Sequence, residues 1–303
     1  MTWLYFNLLV FALLALDLFV LNRRDHIIGV REALGWSAFW IAVSLTFNYF
    51  VYWWRGEGPA VEFLTAYLLE KSLSVDNLFV FILLFNYFKV PPQYQHKVLF
   101  WGIIGALILR ATFILVGVTL INKFAWTTYI LGAFLVYTGI QLFRAGGEPE
   151  IHPEGNFIVR WVSRHLPVTR EFEGGKFFVR KEKIRFATPL FIVLVMVETT
   201  DVVFAADSIP AVLAVSRDPF IVYSSNVFAL LGLRALYFAL AGVIHLFHYL
   251  HYGLALILVF IGCKMIAAYW GLHLDDVTSL MVVGGVLLVS MVASLLFPKA
   301  SSD

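Results

Sequence analysis

Long apolar stretches follow one another along almost the whole chain of 303 residues. Hydrophobic residues make up 61% of the sequence, whereas soluble domains contain about 45–50%. A helix needs about 20 mostly apolar residues to span a bilayer. This criterion predicts an all-α polytopic membrane protein with about nine transmembrane helices. The predicted spans are residues 3–21, 34–54, 60–88, 97–121, 125–143, 188–215, 222–245, 252–270 and 277–297.

Two of these stretches carry acidic residues at positions deep inside the predicted bilayer. The motif EKSLSVDN contains Glu70 and Asp76, and the motif ETTDVVFAADS contains Glu198, Asp201 and Asp207. A carboxylate at mid-bilayer costs about 2.5–3.5 kcal/mol on insertion scales, so such residues mark ion or proton pathways by default. We therefore interpret both motifs as parts of such a pathway.

The two motifs also match each other. In each, two acids lie six residues apart and a small polar residue follows the second acid. Downstream, GALILR ends at Arg110 and FALLGLR ends at Arg234, and Gly139 matches Gly262. This pattern predicts a duplicated three-helix unit. The matched polar residues are Glu70, Asp76 and Asn77 in the first unit and Asp201, Asp207 and Ser208 in the second.

The distribution of basic residues predicts the orientation of the spans. If the N-terminus is outside, 15 lysines and arginines fall in cytoplasmic loops, and only Arg55, Lys123 and Arg217 fall outside. Cytoplasmic loops are enriched in Lys and Arg, so this orientation is favoured and the C-terminus is predicted to be cytoplasmic. The repeated units then run in opposite directions, an arrangement typical of secondary transporters with a substrate site near the midplane.

We expect a single membrane domain, residues 1–303, built around these repeats. Residues 1–58 would form two scaffold helices, and the repeats would occupy residues 60–143 and 188–270. The last span, residues 277–297, would be a C-terminal helix.

Residues 145–187 form the one long polar segment and are predicted to be a cytoplasmic connector. Its segment NFIVRWVSRHL fits a short helix lying on the lipid surface. Its segment KFFVRKEKIRF fits a small hairpin or an extended strand. That basic segment is either a solvated loop anchored by aromatic residues or a regulatory or binding site.

The acidic motifs offer only oxygen ligands, because neither contains Cys or His. Carboxylate, amide and hydroxyl groups suit Mn, Mg or Ca better than Zn or Cu. On an unbroken helix Asp76 would point about 120° away from Glu70. Pro210 cannot donate to the Ala206 carbonyl, which predicts a broken helix in the second unit. The predicted metal ligands are Glu70, Asp76, Asn77, Glu198, Asp201, Asp207 and Ser208.

Basic residues inside the spans nearly balance these acids. Five intramembrane acids face four bases, of which Lys71 and Lys264 could reach away from the centre. We expect Arg110 and Arg234 to pair with the acids as counter-charges when no metal is bound. Desolvation favours the protonated carboxylate, so exchange of metal for protons is a natural hypothesis. The alternative is a static ion-pair network that only specifies helix packing.

Several polar residues lie outside the two acidic motifs. Asp17 is either a boundary carboxylate held by Arg23 and Arg24, which is the favoured interpretation, or a residue with a role in transport. The single cysteine, Cys263, can form no intramolecular disulfide and is interpreted as a packing residue. Three histidines spaced by three, at the turn after the seventh span, are either boundary residues or a peripheral metal entry site. They are His245, His248 and His251.

At EKSLSVDNLFVF and VETTDVVFAADSIPAV the chain closely resembles the TerC family of integral membrane proteins, and its overall layout is similar to the bacterial Alx-like branch. The resemblance covers about residues 1–297. It implies a fold of the LysE superfamily type, the bacterial inner membrane, and export of Mn²⁺ from the cytoplasm. The family takes its name from tellurium-resistance loci.

Two functions therefore remain open on the sequence. One is a secondary transporter for Mn²⁺, with protons as a candidate counter-ion and the lipid bilayer as its setting. The other is a non-transporting membrane assembly or redox-modulating protein whose acids are structural. An enzyme is not predicted, because no paired nucleophile and base or cofactor motif is found, and no cofactor or nucleic-acid partner is expected.

Overall fold

The computed structural model describes residues 2–19, 29–124, 126–145, 164, 166–169, 171–181, 184–241, 249–268 and 274–296. Helices dominate it. They are α1 Thr2–Phe19, α2 Val30–Arg55, α3 Glu57–Tyr87, α4 Pro92–Lys123, α5 Thr127–Ala145, α6 Pro189–Val215, α7 Pro219–Leu231, α8 Leu233–Ala241, α9 Leu250–Ala267 and α10 Asp276–Leu296.

Each predicted span coincides with a helix, and the seventh is the bent pair α7 and α8. By length and composition, five helices of the described chain can cross a membrane: α2, α4, α6, α9 and α10. The bent pair, with 41° between its halves, is a sixth. The chain is thus an all-α polytopic membrane protein in its main architecture, while nine crossings remain a prediction.

The outward faces of the helices are apolar, as lipid contact requires. Ile108 and Leu115 of α4 are 64% and 59% exposed, and Leu288 and Val289 of α10 are 65% and 69% exposed. A soluble protein rarely exposes such rows of large apolar side chains. Several polar and charged residues of α3 and α6 are instead buried, namely Glu70, Ser74, Asn77, Asp201 and Ser208.

Helix α3 lies at the centre and packs against α2, α6, α7 and α10. Helices α4 and α6 run parallel, because Gly102 approaches Val197 near their beginnings and Gly117 approaches Leu213 near their ends. The central helices α3, α4 and α6 therefore pack together, and they carry both acidic motifs and Arg110.

Helices α5 and α9 cross in the opposite sense, with small residues at the crossing. Gly132 lies against the Gly262 carbonyl, and Gly139 lies against the Ala255 carbonyl. The residue numbers of the contacting positions increase along α5 and decrease along α9, so the two helices are antiparallel. Small residues let transmembrane backbones approach closely.

Substituting Gly262 by Ala is expected to destabilise this crossing. The added Cβ would lie 2.5 Å from the Gly132 carbonyl oxygen, which is backbone and cannot rotate away. Overpacking of this kind costs about 1–3 kcal/mol. Thermal unfolding of the purified variant should show the loss, whereas Gly285→Ala, where nothing lies within 4 Å of the new methyl group, should unfold like the parent.

A two-stranded hairpin departs from the purely helical prediction. Strands β1 Phe178–Lys181 and β2 Ile184–Ala187 pair in antiparallel register, so the segment KFFVRKEKIRF forms the hairpin that was one of its two predicted forms. Most of the segment predicted as an interfacial helix, NFIVRWVSRHL, lies outside the described residues.

The predicted break at Pro210 is wrong. Helix α6 continues through Pro210 to Val215, because one missing N–H removes a single backbone bond that a packed transmembrane helix tolerates. The bend occurs instead at Gly232, between α7 and α8.

Candidate functional site

Arg110 joins the two acidic motifs at the centre of the molecule. Its Nη2 donates to Asp201 Oδ1 at 3.1 Å, and its Nε faces Asp201 Oδ2 at 3.4 Å. Its Nη1 forms an ion pair with Glu70 Oε1. All three side chains are buried, with at most 5% of their surface exposed. One guanidinium therefore holds one carboxylate from α3 and one from α6.

This geometry follows from the helix packing. Because α4 and α6 run parallel, Arg110 lies level with Asp201, as Gly102 lies level with Val197. Helix α3 contacts α6 on its other side and brings Glu70 to the same guanidinium. A bidentate Arg–carboxylate pair is strong and directional, so it orients both acids.

Glu198 occupies a space that Gly105 leaves open. A Cβ at position 105 would overlap the Glu198 carboxylate. Glu198 lies three residues before Asp201, on the same face of α6, and its Oε2 is buried without a hydrogen-bond partner in the described part of the chain. A third carboxylate thus lies one turn from the Arg110 pair.

Gly105→Ala is expected to displace the Glu198 carboxylate without unfolding the protein. The atoms that meet the new methyl group belong to the end of a flexible side chain, so the carboxylate can move away. If Glu198 takes part in metal binding, the displacement should lower activity or metal affinity by about tenfold or more. Metal transport and thermal unfolding, measured on the same preparation, check both halves of this expectation.

Several other polar atoms of the two motifs are buried with no partner among the described residues. They include Glu70 Oε2, Ser74 Oγ one turn further along α3, and Ser208 Oγ on α6. Asn77 is also buried, with 4% of its surface exposed. Buried polar groups are normally hydrogen-bonded, so oxygen atoms without a partner are suited to a cation or water.

A narrow cleft reaches Asp201, and its cavity volume of about 10 Å³ is close to the room that one water molecule needs. Among the described side chains that line it, Asp201 is the charged one. The other lining residues are Phe81, Leu99, Gly102, Ile103, Ala106, Val197 and Leu233. They lie toward the C-terminal end of α3 and the N-terminal ends of α4 and α6, so the cleft approaches Asp201 from that side of the molecule.

Lys71, another predicted counter-charge, points elsewhere. Lys71 Nζ donates to the Ala229 carbonyl at 3.2 Å, and Gly232 leaves room for this ammonium. Lys71 thus turns toward the bend between α7 and α8, and Lys264 donates to Ser279 at 2.6 Å.

Arg234 binds Asp17, which corrects the interpretation of Asp17 as a boundary residue held by Arg23 and Arg24. Arg234 Nη2 lies 2.7 Å from Asp17 Oδ1 and 3.1 Å from the Asp17 carbonyl oxygen. Both side chains are buried. Helix α1 is therefore tied to the core by a buried ion pair, while Arg23 and Arg24 lie outside the described residues.

Some predicted ligands cannot be placed. The side chains of Asp76 and Asp207 lie outside the described part of the chain, as do His245 and His248. His251 lies in α9 with its ring 3.9 Å from the ring of Tyr252. Among the side chains that are described, no group of three or more His, Cys, Asp or Glu has an arrangement that would hold a metal ion.

Sequence reasoning missed two contributors. The space provided by Gly105 has no local signal, because a helical glycine reveals nothing about the side chain that faces it. Asp17 could have been included in the count of buried charges, since it stands inside an apolar stretch with Arg234 as a candidate partner. It was assigned instead to the arginines nearest in sequence.

Comparisons with known proteins agree over nearly the whole chain. The model of the "Integral membrane protein TerC family" matches residues 55–302. "Uncharacterized membrane protein STKORF319" of Myxococcus xanthus is 47% identical over 294 residues, which cover 97% of this chain and 92% of that protein. "Putative membrane-bound redox modulator Alx" of Escherichia coli strain K12 is 47% identical over 300 residues, covering 96% and 92%. An uncharacterized membrane protein of Rickettsia bellii is 40% identical over 296 residues, covering 98% and 97%. No solved structure matches.

Proposed function

This chain belongs to the TerC family of integral membrane proteins, and on that premise we propose that it exports a divalent metal ion from the cytoplasm. The proposed substrate is Mn²⁺, and the proposed site lies between α3 and α6 near the bilayer midplane. The metal ligands would be drawn from Glu70, Asp76, Asn77, Glu198, Asp201, Asp207 and Ser208.

The observation that carries the proposal is the sharing of Arg110 by Glu70 and Asp201. When ionised, these two acids and Glu198 carry three negative charges and Arg110 carries one positive charge, which leaves a local excess of two. A divalent cation or two protons would neutralise that excess. Metal binding would draw the carboxylates away from Arg110, and protons would replace the metal after its release.

The cleft supports entry from the cytoplasm. Its lining residues lie toward the end of α3 and the beginnings of α4 and α6, which the distribution of basic residues predicts to be cytoplasmic. A metal ion entering there would meet the Asp201 carboxylate.

The crossing of α5 and α9 supports inverted repeats. In the sequence match of the repeats, Gly139 corresponds to Gly262, and Gly132, seven residues earlier, corresponds to Ala255. The contact between Gly132 and Gly262 is therefore the symmetry equivalent of the contact between Ala255 and Gly139. Both contacts occur in the structure. The antiparallel crossing is what two units of opposite orientation would form.

Cellular metal content tests the proposal. Expression of the protein in a bacterium grown with excess Mn²⁺ should lower the cell's manganese, measured by elemental mass spectrometry. Asp207→Asn and Asp76→Asn should not lower it, although both variants insert in the membrane. Export by the variants at the level of the parent, or no manganese loss with the parent, would refute the proposal.

A second candidate comes from the names of relatives such as the Escherichia coli protein, which is called a putative redox modulator. In that reading the chain would modulate redox reactions or form a membrane assembly, and its acids would serve helix packing. Cys263, the single cysteine, is exposed on α9, so any disulfide would have to form with another molecule.

Cys263→Ser separates the two candidates. Manganese export should be unchanged, because α9 packs on α5 and α10 and Cys263 faces away from the protein core. A thiol-dependent redox function should instead be lost, as read from the ratio of oxidised to reduced glutathione in the same cells. Loss of manganese export in the serine variant would argue against the site proposed above.

A further inference from the structure

The hairpin places two arginines directly opposite each other. In its register Arg180 pairs with Arg185, two positions beyond the pair Phe178 and Ala187. Side chains alternate between the two faces of a strand, so these four residues share one face. Both arginines are exposed.

This arrangement is unfavourable for the hairpin alone. Directly opposed side chains have Cβ atoms about 4.5–5.5 Å apart, and like charges at that distance destabilise the pair. Within the described chain, no carboxylate forms a salt bridge with either guanidinium. Residues 176–185 contain five basic residues and one acidic residue. The hairpin therefore has an excess of positive charge that an anion would relieve.

The arginine face lies beside the start of helix α6. Phe178 packs against Phe191 in the first turn of α6, with 4.5 Å between ring centroids. The Arg185 guanidinium lies over the Phe178 ring at 4.7 Å. Ala187 is fully buried, and α6 begins at Pro189. One end of this face is thus anchored to the membrane domain, and the arginines extend beside the start of a transmembrane helix.

We propose that Arg180 and Arg185 together bind the phosphate of an acidic phospholipid. Guanidinium groups bind phosphate oxygens in a bidentate manner, and the phosphate would neutralise the opposed charges. We assign the phosphate to a lipid headgroup because strand β2, which carries Arg185, leads directly into the apolar helix α6, next to helices whose outer faces are apolar. In the proposed orientation this is the cytoplasmic leaflet, whose anionic lipids attract basic segments.

The test compares lipid binding by full-length variants. Purified protein in detergent is titrated with phosphatidylglycerol or phosphatidylcholine, and bound lipid is counted by native mass spectrometry. The double variant Arg180→Gln/Arg185→Gln should bind phosphatidylglycerol about thirtyfold more weakly than the parent, and phosphatidylcholine equally. The matched control Arg144→Gln removes another exposed arginine, in the last turn of α5, and should bind both lipids like the parent.

Three outcomes would overturn the proposal. Equal losses in the double variant and in Arg144→Gln would indicate a diffuse effect of charge. If millimolar inorganic phosphate displaces phosphatidylglycerol and itself remains bound to the protein, the arginines form a site for free anions and not for a lipid. Unchanged phosphatidylglycerol binding in a double variant with the parent's unfolding temperature would exclude the arginine pair.

Discussion

Arg110→Gln is expected to destabilise the protein by about 3–5 kcal/mol, because removing one partner leaves buried charge uncompensated. Two buried carboxylates, Glu70 and Asp201, would lose their shared counter-charge. The measurement is unfolding of the purified protein in mixed micelles, followed by circular dichroism. Metal transport should also be lost, since the two acids would no longer be held in one site.

A second substitution separates charge from packing in this experiment. Adding Asp201→Asn to Arg110→Gln removes one of the two stranded carboxylates, so the double variant should recover part of the lost stability. The control Arg217→Gln removes an exposed arginine and should change stability little. If Arg110→Gln unfolds like the parent, the central ion pair does not have the structural role assigned to it.

Asp17→Asn is expected to destabilise the protein by about 1.5–3 kcal/mol, because the buried Arg234 guanidinium loses a charged hydrogen-bond acceptor. The variant leaves the Arg234 guanidinium buried without its carboxylate partner on α1. Asparagine keeps nearly the shape of aspartate, so the loss reports the charge. Unfolding in mixed micelles measures it.

Asp275→Asn is the matched control for this experiment. Asp275 is exposed and caps the start of α10 by accepting from the Thr278 backbone N–H, and asparagine caps equally well. Its stability should be that of the parent. A stable Asp17→Asn variant would mean that α1 is the peripheral scaffold which the sequence suggested.

The helices could be predicted from the sequence because bilayer crossing is a local property of about 20 residues. Their partners could not be predicted in the same way. Asp17 and Arg234 are 217 positions apart, and no local rule prefers that pairing to the nearby Arg23 and Arg24. The bend gives a further example: Pro210 is the stronger local breaker, yet the packed helix continues through it and bends at Gly232.

The candidate site was predictable in composition but not in arrangement. Carboxylates in an apolar stretch can be recognised as functional candidates because their insertion into a bilayer costs free energy. The repeat indicates that the two motifs belong to one site. The contact of Glu70 and Asp201 with a single arginine depends on α4 and α6 packing against each other, and no local residue pattern shows which helices become neighbours. The open space at Gly105 depends on the same packing.

Transport by purified protein in sealed liposomes tests the central claim most directly. The claim predicts that the parent carries Mn²⁺ across the bilayer, that Asp201→Asn carries none above protein-free liposomes, and that Glu57→Gln, which changes an exposed acid in the first turn of α3, transports like the parent. Transport by Asp201→Asn at the parent's rate would contradict the claim.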